Sequence, residues 1–133
     1  MGPCLVSIVC DDHRTLAAFY QTAFGFTEIE EVRSSIFTAL RTPQVALGFH
    51  HRDAYNLLDL EEAPASGRVH LNIDVGDPSA VAVMAARLAD LGAVIRKGPF
   101  ETYYGATQVV AADPEGNIIR ITTTQEALIP ALP

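Results

Sequence analysis

Basic residues are scarce in this chain. Nine Lys plus Arg stand against sixteen Asp plus Glu, a net charge of −7, and Lys97 is the only lysine. Nucleic acid is held by cationic side chains that neutralise phosphates, so an acidic chain without a basic cluster argues against DNA or RNA as a partner. Anionic membrane surfaces are disfavoured for the same reason. No apolar run approaches the roughly 18 residues of a membrane span. Met1-Gly2-Pro3-Cys4 lacks the basic start and long apolar stretch of a secretory signal. Cysteine is sparse too. Cys4 and Cys10 fall on one expected strand, which sets them roughly 20 Å apart, too far for a disulfide. They read as small apolar residues in a reducing cytoplasm, which is the expected location.

Familiar catalytic fingerprints are also missing. No glycine-flanked serine follows a strand, and neither cysteine has a basic neighbour in sequence, so no nucleophile–base pair is suggested. No phosphate loop or dinucleotide fingerprint occurs. The chain does have a globular composition, with 49% apolar and 19% charged residues in 133 positions. A single domain over 1–133 is expected, long enough to hide roughly two thirds of its unfolded surface.

A weak internal repeat organises that domain. Leu5-Val6-Ser7-Ile8-Val9-Cys10 has a strand pattern, and Asp11-Asp12 is a helix start signal. Leu16, Phe19, Tyr20 and Phe24 recur at helical spacing, and Gly25 closes the helix. The same grammar returns 65 residues later, Leu5 aligning with His70, Ile8 with Ile73 and Asp12 with Asp77. His70–Val75 is the strand, Asp77 the cap, Pro78 the first helical residue, and Val81, Met84, Leu88 and Leu91 the apolar stripe before Gly92.

Three strand-like runs follow each helix: Phe26–Val32, Ser35–Leu40 and Val45–His50, then Ala93–Lys97, Thr107–Ala111 and Ile118–Thr122. The turn Asp113-Pro114-Glu115-Gly116-Asn117 separates the last pair. Each half therefore reads βαβββ, an α+β fold. Module one covers about 4–51, a linker about 52–67 and module two about 68–124. The linker offers a short helical turn at Tyr55–Leu60, and the tail Gln125–Pro133 is expected to be frayed or docked on the surface.

A duplicated βαβββ unit carrying Leu16-Ala17-Ala18-Phe19-Tyr20 through Gly25-Phe26, and Asp113-Pro114-Glu115-Gly116-Asn117 before its last strand, resembles the vicinal oxygen chelate superfamily. Glyoxalase I, bleomycin-resistance proteins and extradiol dioxygenases belong to it. The resemblance spans about Leu5 to Thr123 and implies two modules forming a cupped mixed sheet around a cavity. It also implies a homodimer. Metal-using members hold a divalent ion through His or Glu at four inward positions, the first residue of each module's opening strand and one near the middle of each last strand. Here those positions are Leu5, Phe49 or Gly48, His70 and Arg120. Only His70 has a lone pair to give; a guanidinium is always charged and accepts nothing. The expected cofactor is none, unless His50, His51 or Asp74 supplies a rearranged divalent-metal site. His50 and His51 are adjacent on a strand and face opposite sides, which suits a solvated strand end better than a shared ion.

The remaining polar positions suggest a ligand cavity. Arg120 either anchors a carboxylate or another planar anion, or pairs with an internal carboxylate such as Asp74. His70 is either a general acid–base or a hydrogen-bonded remnant of a metal site. Asn72 and Ser7 hold equivalent places in the two modules, and either orient a ligand or satisfy local backbone. Tyr103 and Tyr104, with Gln108 beyond them, either wall a pocket or form a surface turn, and Phe49 joins the candidate lining. The expectation is a protein that binds a small organic molecule, anionic or aromatic, between its modules without the usual metal, as in sequestration-type resistance. The alternative is a glyoxalase I-like lyase or isomerase, or a dioxygenase-like enzyme. It would use a rearranged metal, or metal-free acid–base chemistry by His70.

Overall fold

The computed structural model describes residues 4–53 and 69–124. The helical turn expected at Tyr55–Leu60 and the tail Gln125–Pro133 lie outside the described residues. The chain divides into two compact units, residues 1–65 and 66–133.

In the first, β1 (Leu5–Cys10) leads into α1 (His13–Phe24), then β2 (Thr27–Glu28), β3 (Phe37–Arg41) and β4 (Ala46–His51). Asp12 caps α1, its carboxylate accepting the Thr15 N–H at 3.1 Å and the Thr15 hydroxyl at 2.8 Å. Gly25 ends the helix with φ of 73°, its N–H on the Gln21 carbonyl at 2.8 Å. An L side chain there would be strained, which is why the stop falls on glycine. The strands hydrogen-bond in the order β1-β4-β3-β2, with β1 parallel to β4 and the rest antiparallel. Leu16, Tyr20, Leu40 and Phe49 fill the space between helix and sheet, all but excluded from solvent. Burying such side chains contributes about 1.5–3 kcal/mol each relative to exposure.

The second unit repeats the plan: β5 (Leu71–Gly76), α2 (Pro78–Asp90), β6 (Val94–Glu101), β7 (Thr107–Ala112) and β8 (Ile118–Thr123). Asp77 caps α2 through the Ala80 N–H at 2.9 Å, with Pro78 in the first turn. The sheet order is β5-β8-β7-β6, again with one parallel pair, β5 on β8. Val81 and Leu88 of α2 are buried along with Val109, Ile119 and Ile121 of the sheet. The α+β architecture of two βαβββ modules is therefore present as two four-stranded mixed sheets.

Most strand boundaries shift by one or two residues, and three departures stand out. Only Thr27–Glu28 of the run Phe26–Val32 pairs as strand, and Glu30–Val32 is a single 3₁₀ turn. Arg33 closes that turn by a two-pronged ion pair to Glu28, at 2.5 and 2.8 Å. β6 runs past Lys97 through Gly98-Pro99 to Glu101. It is an edge strand with two register shifts, so the N–H that proline lacks is not needed. His70 stands just before β5 rather than inside it.

Candidate functional site

Residues in register across neighbouring strands share a face of the sheet. In module two the helix takes one face through Val109, Ile119 and Ile121. On the far face one row runs Asn72, Arg120, Val110, Lys97, and the next runs Asp74, Thr122, Gln108, Phe100. Arg120 thus stands in the middle of the sheet, on the face turned away from α2.

Arg120 is half-buried, and its Nε is shut off from solvent with no hydrogen-bond partner. Asp74 does not compensate it. That carboxylate instead accepts the Gly76 N–H at 2.8 Å and the Thr124 hydroxyl at 2.9 Å. Of the two roles open to Arg120, the internal ion pair is not formed among the described residues. Lys97 holds its ammonium over the Phe100 ring, 3.8 Å from the centroid.

Around Arg120, Asn72 is exposed and Gln108 is buried. Gln108 donates from Nε2 to the Tyr104 hydroxyl at 3.3 Å, tying the β6–β7 loop to the far face. The loop itself is tight: Thr102 Oγ1 accepts the Ala106 N–H at 2.9 Å, and Gly105 takes φ of 85°. Tyr103 and Tyr104 meet edge to face at 4.9 Å; Tyr103 is wholly exposed. Arg120, Asn72, Gln108 and Tyr104 therefore gather in module two, and Tyr103 stands off at the loop tip. His70 is exposed and hydrogen-bonds to no described residue, so nothing among them orients its ring.

In module one the corresponding rows are Ser7, Gly48, Ala39 and Val9, His50, Phe37. Phe49 lies on the other face, fully buried, with its ring 5.3 Å from that of Tyr20. Its place among the ligand-lining candidates is corrected: it belongs to the core beneath α1. Gly48 is the residue matching Arg120, because Gly48 pairs with Ser7 as Arg120 pairs with Asn72. A Cβ on Gly48 would sit 2.6 and 2.9 Å from Cε2 and Cζ of Phe37, so the phenyl edge occupies the place of a side chain. Phe37 and His50 lie ring to ring, centroids 4.3 Å apart at 32°. Ser7 is exposed beside them.

The model for the glyoxalase-like domain matches residues 5–122. The chain belongs to the glyoxalase-like family, within the vicinal oxygen chelate superfamily. A glyoxalase/bleomycin resistance protein/dioxygenase family enzyme from Burkholderia phytofirmans PsJN is 39% identical, covering 91% of this chain and 97% of its own, with a TM-score of 0.85. A glyoxalase-related enzyme from Fulvimarina pelagi shares 18% identity over 92% of this chain and 88% of its own, at a TM-score of 0.82. The lactoylglutathione lyase of Agrobacterium tumefaciens shares 16%, covers 92% of each chain and scores 0.72. The last two likenesses concern the fold alone. No curated protein matches significantly.

The glyoxalase-like resemblance implies a divalent metal, and the donors here do not fit one. Leu5 and Gly48 offer no side-chain donor, and Arg120 brings a positive charge to a position that needs a lone pair. Among the described residues no three His, Cys, Asp or Glu side chains gather closely enough to hold an ion. The rearranged alternative divides as the register requires. His50 lies on the far face, whereas His51 pairs with Cys10 on the other and sits 3.4 Å from Asp53.

Phe37 carries no signal in the sequence beyond apolarity, and the His50-His51 pair suggests a rearranged metal site or a solvated strand end rather than an aromatic partner for Phe37. His50 is instead half-buried with Nδ1 shut off from solvent and unpartnered. Burial, and then the neighbouring His13, hold its pKa below the ordinary histidine value.

Proposed function

We propose that this glyoxalase-like protein binds a small organic carboxylate on the far face of module two, anchored by Arg120, without a divalent metal. The observation that carries the reading is the state of Arg120, a half-buried residue whose Nε is desolvated and has no described partner. A desolvated N–H donor without a partner is unfavourable, and a planar anion relieves that cost by accepting from Nε and a neighbouring guanidinium nitrogen together. Asn72, in register beside it, adds an amide, and the Gln108–Tyr104 pair adds a polar and aromatic flank. Sequestration of this kind needs no general base.

Titration calorimetry with benzoate and its uncharged analogue benzamide tests the charge requirement. Benzoate is expected to bind at least tenfold more tightly than benzamide, and Arg120→Ala to abolish the difference. Equal affinities for the two compounds, or an Arg120→Ala protein that still prefers benzoate, overturns the reading.

A further inference from the structure

The two modules match strand for strand, yet their far faces have diverged in chemistry. Where module two carries Arg120, Thr122 and Gln108, module one carries Gly48, His50 and Phe37 at the same register positions. On these two rows of module one no residue carries a permanent charge; Arg41 lies in a separate row, paired with Ala46. We propose that Phe37 and His50, with Ser7 at their side, form a stacking platform on module one for a flat, uncharged aromatic ring.

Gly48 is the first support. Its missing side chain leaves the gap into which the edge of Phe37 settles, and a Cβ there would lie 2.6 Å from the ring. The phenyl ring is thereby laid across the strand rather than free to swing. A pre-placed ring loses little conformational freedom on binding, which favours stacking.

The second support is the ring pair itself. With centroids 4.3 Å apart and planes tilted by 32°, Phe37 and His50 stack one against the other and hold each other in place, and both remain half-exposed. A core ring pair would be closed on all sides, as Tyr20 and Phe49 are. The third is polarity. Burial, then repulsion from His13 across the sheet, disfavours the imidazolium, so His50 offers a neutral ring. No described residue hydrogen-bonds to that ring, and its Nδ1 is closed off from solvent. Ser7 supplies a hydroxyl at the rim, 3.0 Å from where a Gly48 Cβ would lie. Apolar faces with one imidazole and one hydroxyl select a neutral ring bearing one or two hydrogen-bonding groups, such as a phenol, over a cation or a saturated ring.

The proposal does not depend on Arg120, so the two can fail separately. Phenol and cyclohexanol serve as probes, since they share one hydroxyl and six carbons and differ in flatness. In an NMR titration near pH 7.5, phenol should move the ring resonances of Phe37 and His50 upfield and saturably, and cyclohexanol should bind at least tenfold more weakly. Phe37→Leu should weaken phenol binding at least fivefold, Phe37→Tyr should retain it, and Arg120→Ala should leave it unchanged. Equal binding of the two probes overturns the platform, as does absence of phenol binding at these rings. Should Phe37→Leu not fold, the comparison of probes on the wild-type protein and on Phe37→Tyr still decides.

Discussion

Gly48 and Arg120 hold one register position in two modules: Gly48 lies opposite Ser7 between β4 and β1, and Arg120 opposite Asn72 between β8 and β5. In module one a phenyl edge takes the place of a side chain there, and in module two the same position carries a cation.

At Gly48 the relevant quantity is volume. Gly48→Ala forces a methyl group to within 2.6 Å of the Phe37 ring, so ring or strand must shift. Overpacking of this kind costs about 1–3 kcal/mol, measurable by urea denaturation. Because the clash is with one ring, the double variant Gly48→Ala/Phe37→Ala should fall short of the sum of the singles by at least about 0.5 kcal/mol. Simple additivity would show that Phe37 is not what the methyl meets.

Arg120 contributes little to stability in this arrangement, because its guanidinium makes no bond to the described residues and its Nε is desolvated. Arg120→Met keeps the apolar stem and removes the charge. Its melting temperature should equal or exceed that of the wild type, while benzoate binding falls at least tenfold. A clear drop in melting temperature would mean that the guanidinium is tied into the fold after all.

His50 links stability to pH. Its folded pKa lies below the ordinary value of 6.5, with burial the main cause and His13 the second. Above about 6.5 the imidazole is neutral in both folded and unfolded chains, and its full contribution is present. As pH falls below that value the unfolded chain takes up the proton first, so stability declines. Denaturation midpoints of the wild type should drop as pH falls below about 6.5, and those of His50→Phe should drop less. Parallel curves for the two proteins would rule out this linkage.

Asp113 should be the costliest turn residue to change. It is buried, and its carboxylate accepts the N–H groups of Glu115 and Asn117 at 2.9 Å, and the Asn117 amide at 2.9 Å. Asp113→Ala leaves those donors without their acceptor, for a loss of about 2–4 kcal/mol by denaturant unfolding. A loss under about 0.5 kcal/mol would mean that solvent replaces the carboxylate freely.

The repeat, the helix caps and the Asp113–Asn117 turn were legible because each depends on local chemistry. Asp12 and Asp77 cap, Gly25 and Gly92 stop, and these need no knowledge of neighbours. Arg120 was legible because it alternates with Ile119 and Ile121, and only one face of that strand can suit a guanidinium. Phe49 was misplaced for the opposite reason. In Ala46-Leu47-Gly48-Phe49 neither face is polar, so alternation gives no direction, and only pairing with Ser7 and Ile8 shows which way each residue turns. Tertiary approach, such as the Phe37 edge filling the space at Gly48, leaves no trace along the chain. The same holds for β6, whose Gly98-Pro99 breaks a central strand but is tolerated at an edge.

That edge has a consequence for association. β6 carries Lys97, a proline and two slips of register, so its outer rim presents an interrupted row of donors and acceptors. Such a rim is a poor template for an incoming strand. β5, at the opposite edge, has no proline, and a single irregularity after Asp74. If copies of this sheet ever join by strand addition, whether in a homodimer or in aggregation, the junction is directed to β5 and refused at β6.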